Sequence, residues 1–284
     1  MKKSSSWFEW YLEEAKRFFG IDLHTEFRKN ATLRSPAKWV IGETTREKFT
    51  IEYAIELMKY PEWALRHVAF HEVCHVKHAL EGLPCFFWAT DDESVDALSI
   101  GNLNIHKLDA RELSSEFGME RKNIETLFQM VYGLTTDFLV NSVLLKSSPV
   151  QLETIRFGVV TVLGASRMLE NKHALLCGIM ESGMWNAISR NADVAVYPDL
   201  VRVLVSRVEK VKEDACSYHK MNIKAYENYI NALLKVEFKT DNRVFLSMIK
   251  RTARSVQRIL RDIDAPIENY SLRLTYAKKK NCKK

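Results

Sequence analysis

His71-Glu72-Val73-Cys74-His75 places two histidines four residues apart, with an acid directly after the first. On a helix, residues at that spacing stand one above the other about 6 Å apart, so both imidazoles can reach one ion at about 2 Å from each nitrogen. Glu72 is offset by one residue, beside the metal rather than on it, where a general base must stand to take a proton from water. The chemistry this pattern points to is hydrolysis assisted by zinc (Zn2+). Val68, Ala69, Phe70, Val73, Val76, Ala79 and Leu80 make the surroundings apolar on most sides, so the helix is expected to be buried. Glu72 is the only acid between Glu62 and Glu81, and a carboxylate in such a place needs a partner.

Two neighbours have plainer explanations. His78 is seven residues from His71, about 10 Å along a helix axis, too far to share one ion with His71 and His75; a structural or supporting role is expected. Cys74 reads as a small buried hydrophobe.

A catalytic zinc takes a third protein ligand and keeps one position open. Asp137 is the only charged residue between Glu125 and Lys146, among apolar side chains, and Asn141 lies one helical turn later on the same face. A lone carboxylate there is costly unless a cation or several donors meet it, and zinc would resolve that cost. Asn141 would then orient a ligand histidine or Asp137 itself. Asp92, Glu93 and Asp96, at the start of the next helix, are the rival source, with Asp92 and Asp96 four apart; His106 is a further alternative. Acids at a helix start also have a bland explanation, because the N-terminus favours negative charge.

The elements that must hold these groups are legible in outline. Residues 7 to 19 have the apolar stripe of an amphipathic helix, stopped by Gly20. Ile21, Leu23, Thr25 and Phe27 then alternate with polar residues, Trp39-Val40-Ile41-Gly42 follows a Ser35-Pro36 turn, and Phe49 to Tyr53 alternates again, which predicts a small antiparallel sheet. Pro61 and Gly82 punctuate a helix over 61–81, about 30 Å long, with the histidines in its middle. Helices are predicted over about 91–103, 109–117 and 121–146, followed by several more up to about 262. The fold class is therefore α+β, mainly α. Ser147-Ser148-Pro149 is the expected boundary between a unit of residues 1–148 and a helical region of residues 149–284.

On these residues the chain resembles the zincin metallopeptidases, a helix and small sheet preceding the helix that bears His71-Glu72-Val73-Cys74-His75. Thr136-Asp137-Phe138-Leu139-Val140-Asn141 is similar to the aspartate-to-asparagine helix of a group of HExxH metallopeptidases whose members often carry a von Willebrand A domain; nothing in residues 149–284 looks like that domain. The second resemblance is to gluzincin-like enzymes, in which an acid soon after the motif completes the site, a role Asp92 would take. The resemblance covers about residues 7–146. It implies hydrolysis of a peptide or protein substrate, with His71, His75 and an acid on the metal, Glu72 activating water, and an edge strand aligning the substrate through its main chain. Phe49 to Tyr53, just ahead of the metal helix in sequence, is the expected edge. A non-enzymatic protein in which zinc or a buried polar network ties two halves together is the competing expectation, because structural and catalytic sites share ligands.

Composition narrows the setting. With 46% hydrophobic and 27% charged residues, the chain is expected to fold and bury a core. Five of its net positive charges lie in Lys278, Lys279, Lys280, Lys283 and Lys284, so the basicity belongs to a tail that could offer weak contact to nucleic acid. Cys74, Cys85, Cys177, Cys216 and Cys282 are odd in number and scattered, which favours a reducing, cytoplasmic setting. Glu9, Glu13 and Glu14 interrupt the N-terminal apolar run too soon for a signal peptide, and the polar groups of residues 126–145 argue against a membrane span.

Overall fold

The computed structural model describes residues 2–33, 35–45, 47–88, 103–171, 174–191 and 197–263. Its order is α1 (Lys2–Phe19), β1 (His24–Lys29), β2 (Ala37–Val40), β3 (Lys48–Tyr53), α2 (Glu62–Leu80), β4 (Cys85–Trp88) and β5 (Ile105–Leu108). Seven helices follow: α3 (Ala110–Phe117), α4 (Arg121–Ser147), α5 (Gln151–Met168), α6 (Leu175–Asn191), α7 (Pro198–His219), α8 (Ile223–Leu233) and α9 (Asn242–Ile263). The class is α+β, mainly α, as the sequence predicts. The expected helix over 91–103 falls outside the described residues up to 102.

The first sheet differs from the expectation in two ways. Its order is β1-β3-β2, with β1 parallel to β3 and only β2 antiparallel, so it is mixed. The strand containing Phe49 to Tyr53 is therefore the centre, and β1 and β2 are the edges. Both faces of β3 are covered: Phe49, Thr50 and Ile51 are buried, and Glu52 is buried too. The Glu52 side chain is met by two donors, Arg28 Nε at 3.0 Å and Asn30 Nδ2 at 2.8 Å. An alternating pattern marks a strand but carries no information about its neighbours, and of its polar residues Glu52 finds donors on β1 and the turn after it, whereas the buried Thr50 hydroxyl finds none among the described residues. A second sheet, parallel β4 and β5, was not anticipated; its strands are only four residues each.

Two apolar clusters organise the molecule. One joins α1, the first sheet and α2, through residues such as Phe8, Leu12, Phe49, Ile51, Phe70 and Val73, and it takes Val140, Leu144 and Val150 from further along the chain. The other runs from Leu83 through α3 and most of α4 to α9. The division between the clusters does not fall at residues 147–149, where a short connection with buried Ser148 joins α4 to α5. It falls along α4, whose residues up to Leu139 belong to the helical cluster and whose Val140 and Leu144 belong to the other.

Helix α2 is held on several sides. Arg66 binds Glu14 of α1 at 2.6 Å and Glu153 of α5 at 3.0 Å, and Tyr11 donates a hydrogen bond to Glu62. Glycine 82, at φ +94°, turns the chain out of α2 in a conformation that side chains resist. Among the described residues, no helix is long and apolar enough to cross a membrane.

Candidate metal centre

Asp137 and Asn141 sit where α4 passes from one apolar cluster to the other, and this brings them against the His71–His75 face of α2. His71 Nε2 and His75 Nε2 are 3.0 Å apart, and Asp137 Oδ1 lies 3.1 Å from His75 Nε2 and 3.4 Å from His71 Nε2. Among the described residues, these three are the one group of histidine, cysteine and carboxylate atoms close enough to share an ion.

The tautomer follows from the neighbour. His71 Nδ1 faces Asn141 Oδ1 at 3.3 Å, so Nδ1 carries the hydrogen and donates it, leaving Nε2 a lone pair. That lone pair meets another imidazole nitrogen and a carboxylate oxygen, an arrangement of acceptors that calls for a cation or a shared proton at its centre. The dimensions fit an ion. Ligands at about 2.0 to 2.1 Å from a tetrahedral zinc are about 3.3 Å from one another, and the three sides measured here bracket that length. Two imidazoles and a carboxylate are also a donor set that zinc accepts.

Electrostatics agree with a coupled cluster. With protons in place of an ion, so that His71 and His75 are imidazolium donors, their hydrogen bonds and charge outweigh the burial that would raise the Asp137 carboxyl and hold it far below the ordinary carboxylate range. Burial alone would lower His71; Asp137 first, with Glu72 and Asn141, reverses this and raises it. The cluster is not sealed: the Asp137 side chain is 38% exposed and those of the histidines 16–17%.

Glu72 takes a different direction. Its Oε2 accepts the backbone N–H of Trp39 in β2 at 2.7 Å, which satisfies a buried carboxylate. Strand β2 is the sheet edge beside α2, and the Trp39 N–H points away from β3 toward the helix. The expectation that Phe49 to Tyr53 offers a free edge is thus corrected: β3 is enclosed, and the edge beside the helix is β2, with one of its donors already engaged.

His106 lies on β5 between Asn104 and Asn242, with Asn242 Nδ2 2.8 Å from His106 Nδ1, and does not join the cluster. Asp92, Glu93 and Asp96 lie outside the described residues. His78 is buried against the Phe238 ring, 3.9 Å from Cys74 Sγ, and burial pushes its pKa down to about 3. Cys74 is fully buried and its thiol is pushed up to about 12 by desolvation.

One residue of the site has no counterpart in the sequence reading. His67, a turn before His71, is buried, donates from Nδ1 toward Thr154 Oγ1 at 3.2 Å, and lies against the Phe157 ring with centroids 4.3 Å apart. Its ring centroid is 5.7 Å from that of His71, so it walls one side of the His71 ring and ties α2 to α5. The i, i+4 spacing to His71 was the available signal, but only the partner helix gives it meaning. Compared with protein-family models, curated proteins and solved structures, the chain matches none of them.

Proposed function

We propose that this protein is a zinc-dependent peptidase, with His71, His75 and Asp137 as metal ligands and Glu72 as general base. The observation that carries the reading is the triangle of three ligand atoms with sides of 3.0, 3.1 and 3.4 Å, open to solvent at Asp137. Zinc held there would supply Lewis acidity, polarising a peptide carbonyl and lowering the pKa of water toward neutrality.

The chain's own groups divide the remaining work. Asn141 fixes the His71 tautomer and ring plane, keeping Nε2 directed at the site. Asp137 supplies the negative charge that balances a divalent ion. The Trp39 N–H holds Glu72 Oε2, and Oε1, without a hydrogen-bond partner among the described residues, is left to take a proton from water and pass it to the departing amine. An extended peptide is the substrate class that fits beside β2. A reducing, cytoplasmic setting belongs to the same reading, supported by Cys74, Cys85 and Cys216 being thiols outside any disulfide.

One observation favours a structural role instead. The Glu72–Trp39 bond ties α2 to the sheet, and that tie alone is a reason for an acid at this position. Glu72→Gln separates the two readings, because glutamine keeps an oxygen that can accept the Trp39 N–H but cannot act as base. In a peptidase, the variant retains zinc and loses hydrolysis of a mixed fluorogenic peptide library. Zinc-loaded wild type that cleaves nothing in such a library, or a Gln variant that cleaves as well as wild type, would overturn the catalytic reading.

A further inference from the structure

Helix α9 carries Arg243, Lys250, Arg251, Arg254, Arg258 and Arg261, against a single acid, Asp262, in its last turn. Its apolar face, including Phe245, Ile249, Val256 and Ile259, is buried in the helical cluster. On the opposite side Arg251, Arg254, Arg258 and Arg261 are all exposed, at spacings of three, four and three residues. Such spacing puts all four guanidinium groups on one face, over about 15 Å of helix.

An ordinary solvated helix face does not look like this, and α7 provides the contrast within the same molecule. There Arg202 pairs with Asp199 at 3.3 Å, Lys210 with Asp214 at 2.7 Å, and Lys212 with Glu209. On α9, Glu116 of α3 meets Lys250 and Arg254, each at 2.6 Å, while Arg251, Arg258 and Arg261 form no ion pair among the described residues. Like charges one helical turn apart repel, so the stripe weakens the helix unless an anion faces it.

We propose that the arginine face of α9 is a docking surface for double-stranded nucleic acid, bound through its phosphates without regard to sequence. Guanidinium groups pair with phosphate oxygens in two-point fashion, which suits arginine better than lysine. Each duplex strand presents one phosphate per about 3.4 Å of axis, so a stripe of about 15 Å can meet about four. No aromatic residue interrupts the exposed face from Arg251 to Arg261, so base stacking is not provided for. The buried apolar face leaves α9 nothing to insert into lipid, which sets a nucleic acid ahead of an anionic membrane.

The test uses the full chain and a labelled random-sequence DNA duplex of about 20 base pairs, with binding followed by anisotropy from about 50 to 200 mM salt. The stripe variant carries Arg251→Gln, Arg258→Gln and Arg261→Gln; a control carries Arg202→Gln, Lys210→Gln and Lys212→Gln, removing the same charge from α7. The stripe variant is expected to bind at least tenfold more weakly, with a slope of log K against log salt shallower by about 2.7, at about 0.9 per lost contact. The control binds near wild type, and the stripe variant, relieved of like-charge repulsion, melts at or slightly above wild type. Absence of duplex binding by wild type at the lowest salt would overturn the proposal. So would equal losses in the two variants, which would reduce it to net charge, or undiminished binding by the stripe variant, which would move the contact to Lys278–Lys284. Stripe-dependent binding to phosphatidylserine vesicles in place of the duplex would assign the face to a membrane. Should the stripe variant fold poorly, modification of wild-type arginines by phenylglyoxal decides: the duplex protects Arg251, Arg258 and Arg261 if they form the surface, and leaves them reactive if they do not.

Discussion

Glu72 Oε2 accepts the backbone N–H of Trp39 at 2.7 Å, so the acid between the two histidines is anchored to the edge strand beside its helix. One bond therefore links the acid proposed as general base, the sheet edge and the helix that carries both histidines. Replacing Glu72 by Ala leaves the buried N–H unpaired, and a lost bond of this kind destabilises by about 1 to 3 kcal/mol. Glu72→Gln, which retains an acceptor, is expected to stay near wild-type stability in urea unfolding while lowering any peptidase rate by at least about a hundredfold.

Metal content is expected to follow the three-atom triangle. Wild type purified with zinc should hold one equivalent by mass spectrometry, and His75→Ala and Asp137→Ala should each hold far less. Removing the ion with a chelator should lower the melting temperature, because an ion that binds only the folded chain stabilises it by mass action. Full zinc occupancy in Asp137→Ala would move the third ligand elsewhere.

Asn141 touches His71 from the side away from the triangle, so its replacement probes orientation rather than ligation. Asn141→Ala should weaken zinc binding about 10- to 100-fold in a chelator competition, with the stoichiometry unchanged at saturation. Asn141→Asp, which still accepts from Nδ1, should recover much of the loss.

His67 and His78 set a pH dependence of stability. Burial lowers both, His78 to about 3 and His67 well below its ordinary 6.5, so the native state keeps them neutral. As pH falls below 6.5 the unfolded chain takes up protons that the native chain refuses. Their contribution is intact above 6.5 and stability then drops toward pH 3, by about 1.4 kcal/mol per pH unit for each histidine. In urea titrations with chelator present, His78→Leu should flatten the fall between pH 6 and 4, and a slope identical to wild type would count against the buried neutral state.

The helical region offers a packing test. A Cβ built on Gly158 would lie 2.5 Å from Trp185 Cε3, inside van der Waals contact, where α5 passes α6. Gly158→Ala should cost about 1 to 3 kcal/mol in unfolding, as overpacked cores do, with a change in tryptophan fluorescence. The same change at Gly164, where nothing lies within 4 Å, should be neutral or stabilising.

What the sequence determined by itself is local. The four-residue spacing of His71 and His75, and of Asp137 and Asn141, dictates that each pair shares a helix face, because helical periodicity is a property of the chain alone. The isolation of Asp137 among apolar residues marked it as needing a counter-charge, and Pro61 and Gly82 marked the ends of the helix carrying His71 and His75 to within a residue. Partners across the fold were beyond reach. That Asn141 faces His71, that Trp39 holds Glu72, that His67 leans on Thr154 and Phe157, and that Phe49 to Tyr53 lies at the centre of a mixed sheet all depend on how distant segments pack. Alternation in a strand fixes which side chains share a face but leaves strand order and direction open, since hydrogen bonds along either edge satisfy the backbone equally. Only the docking of α4 across the seam between two apolar clusters brings Asp137 within 3.1 Å of His75.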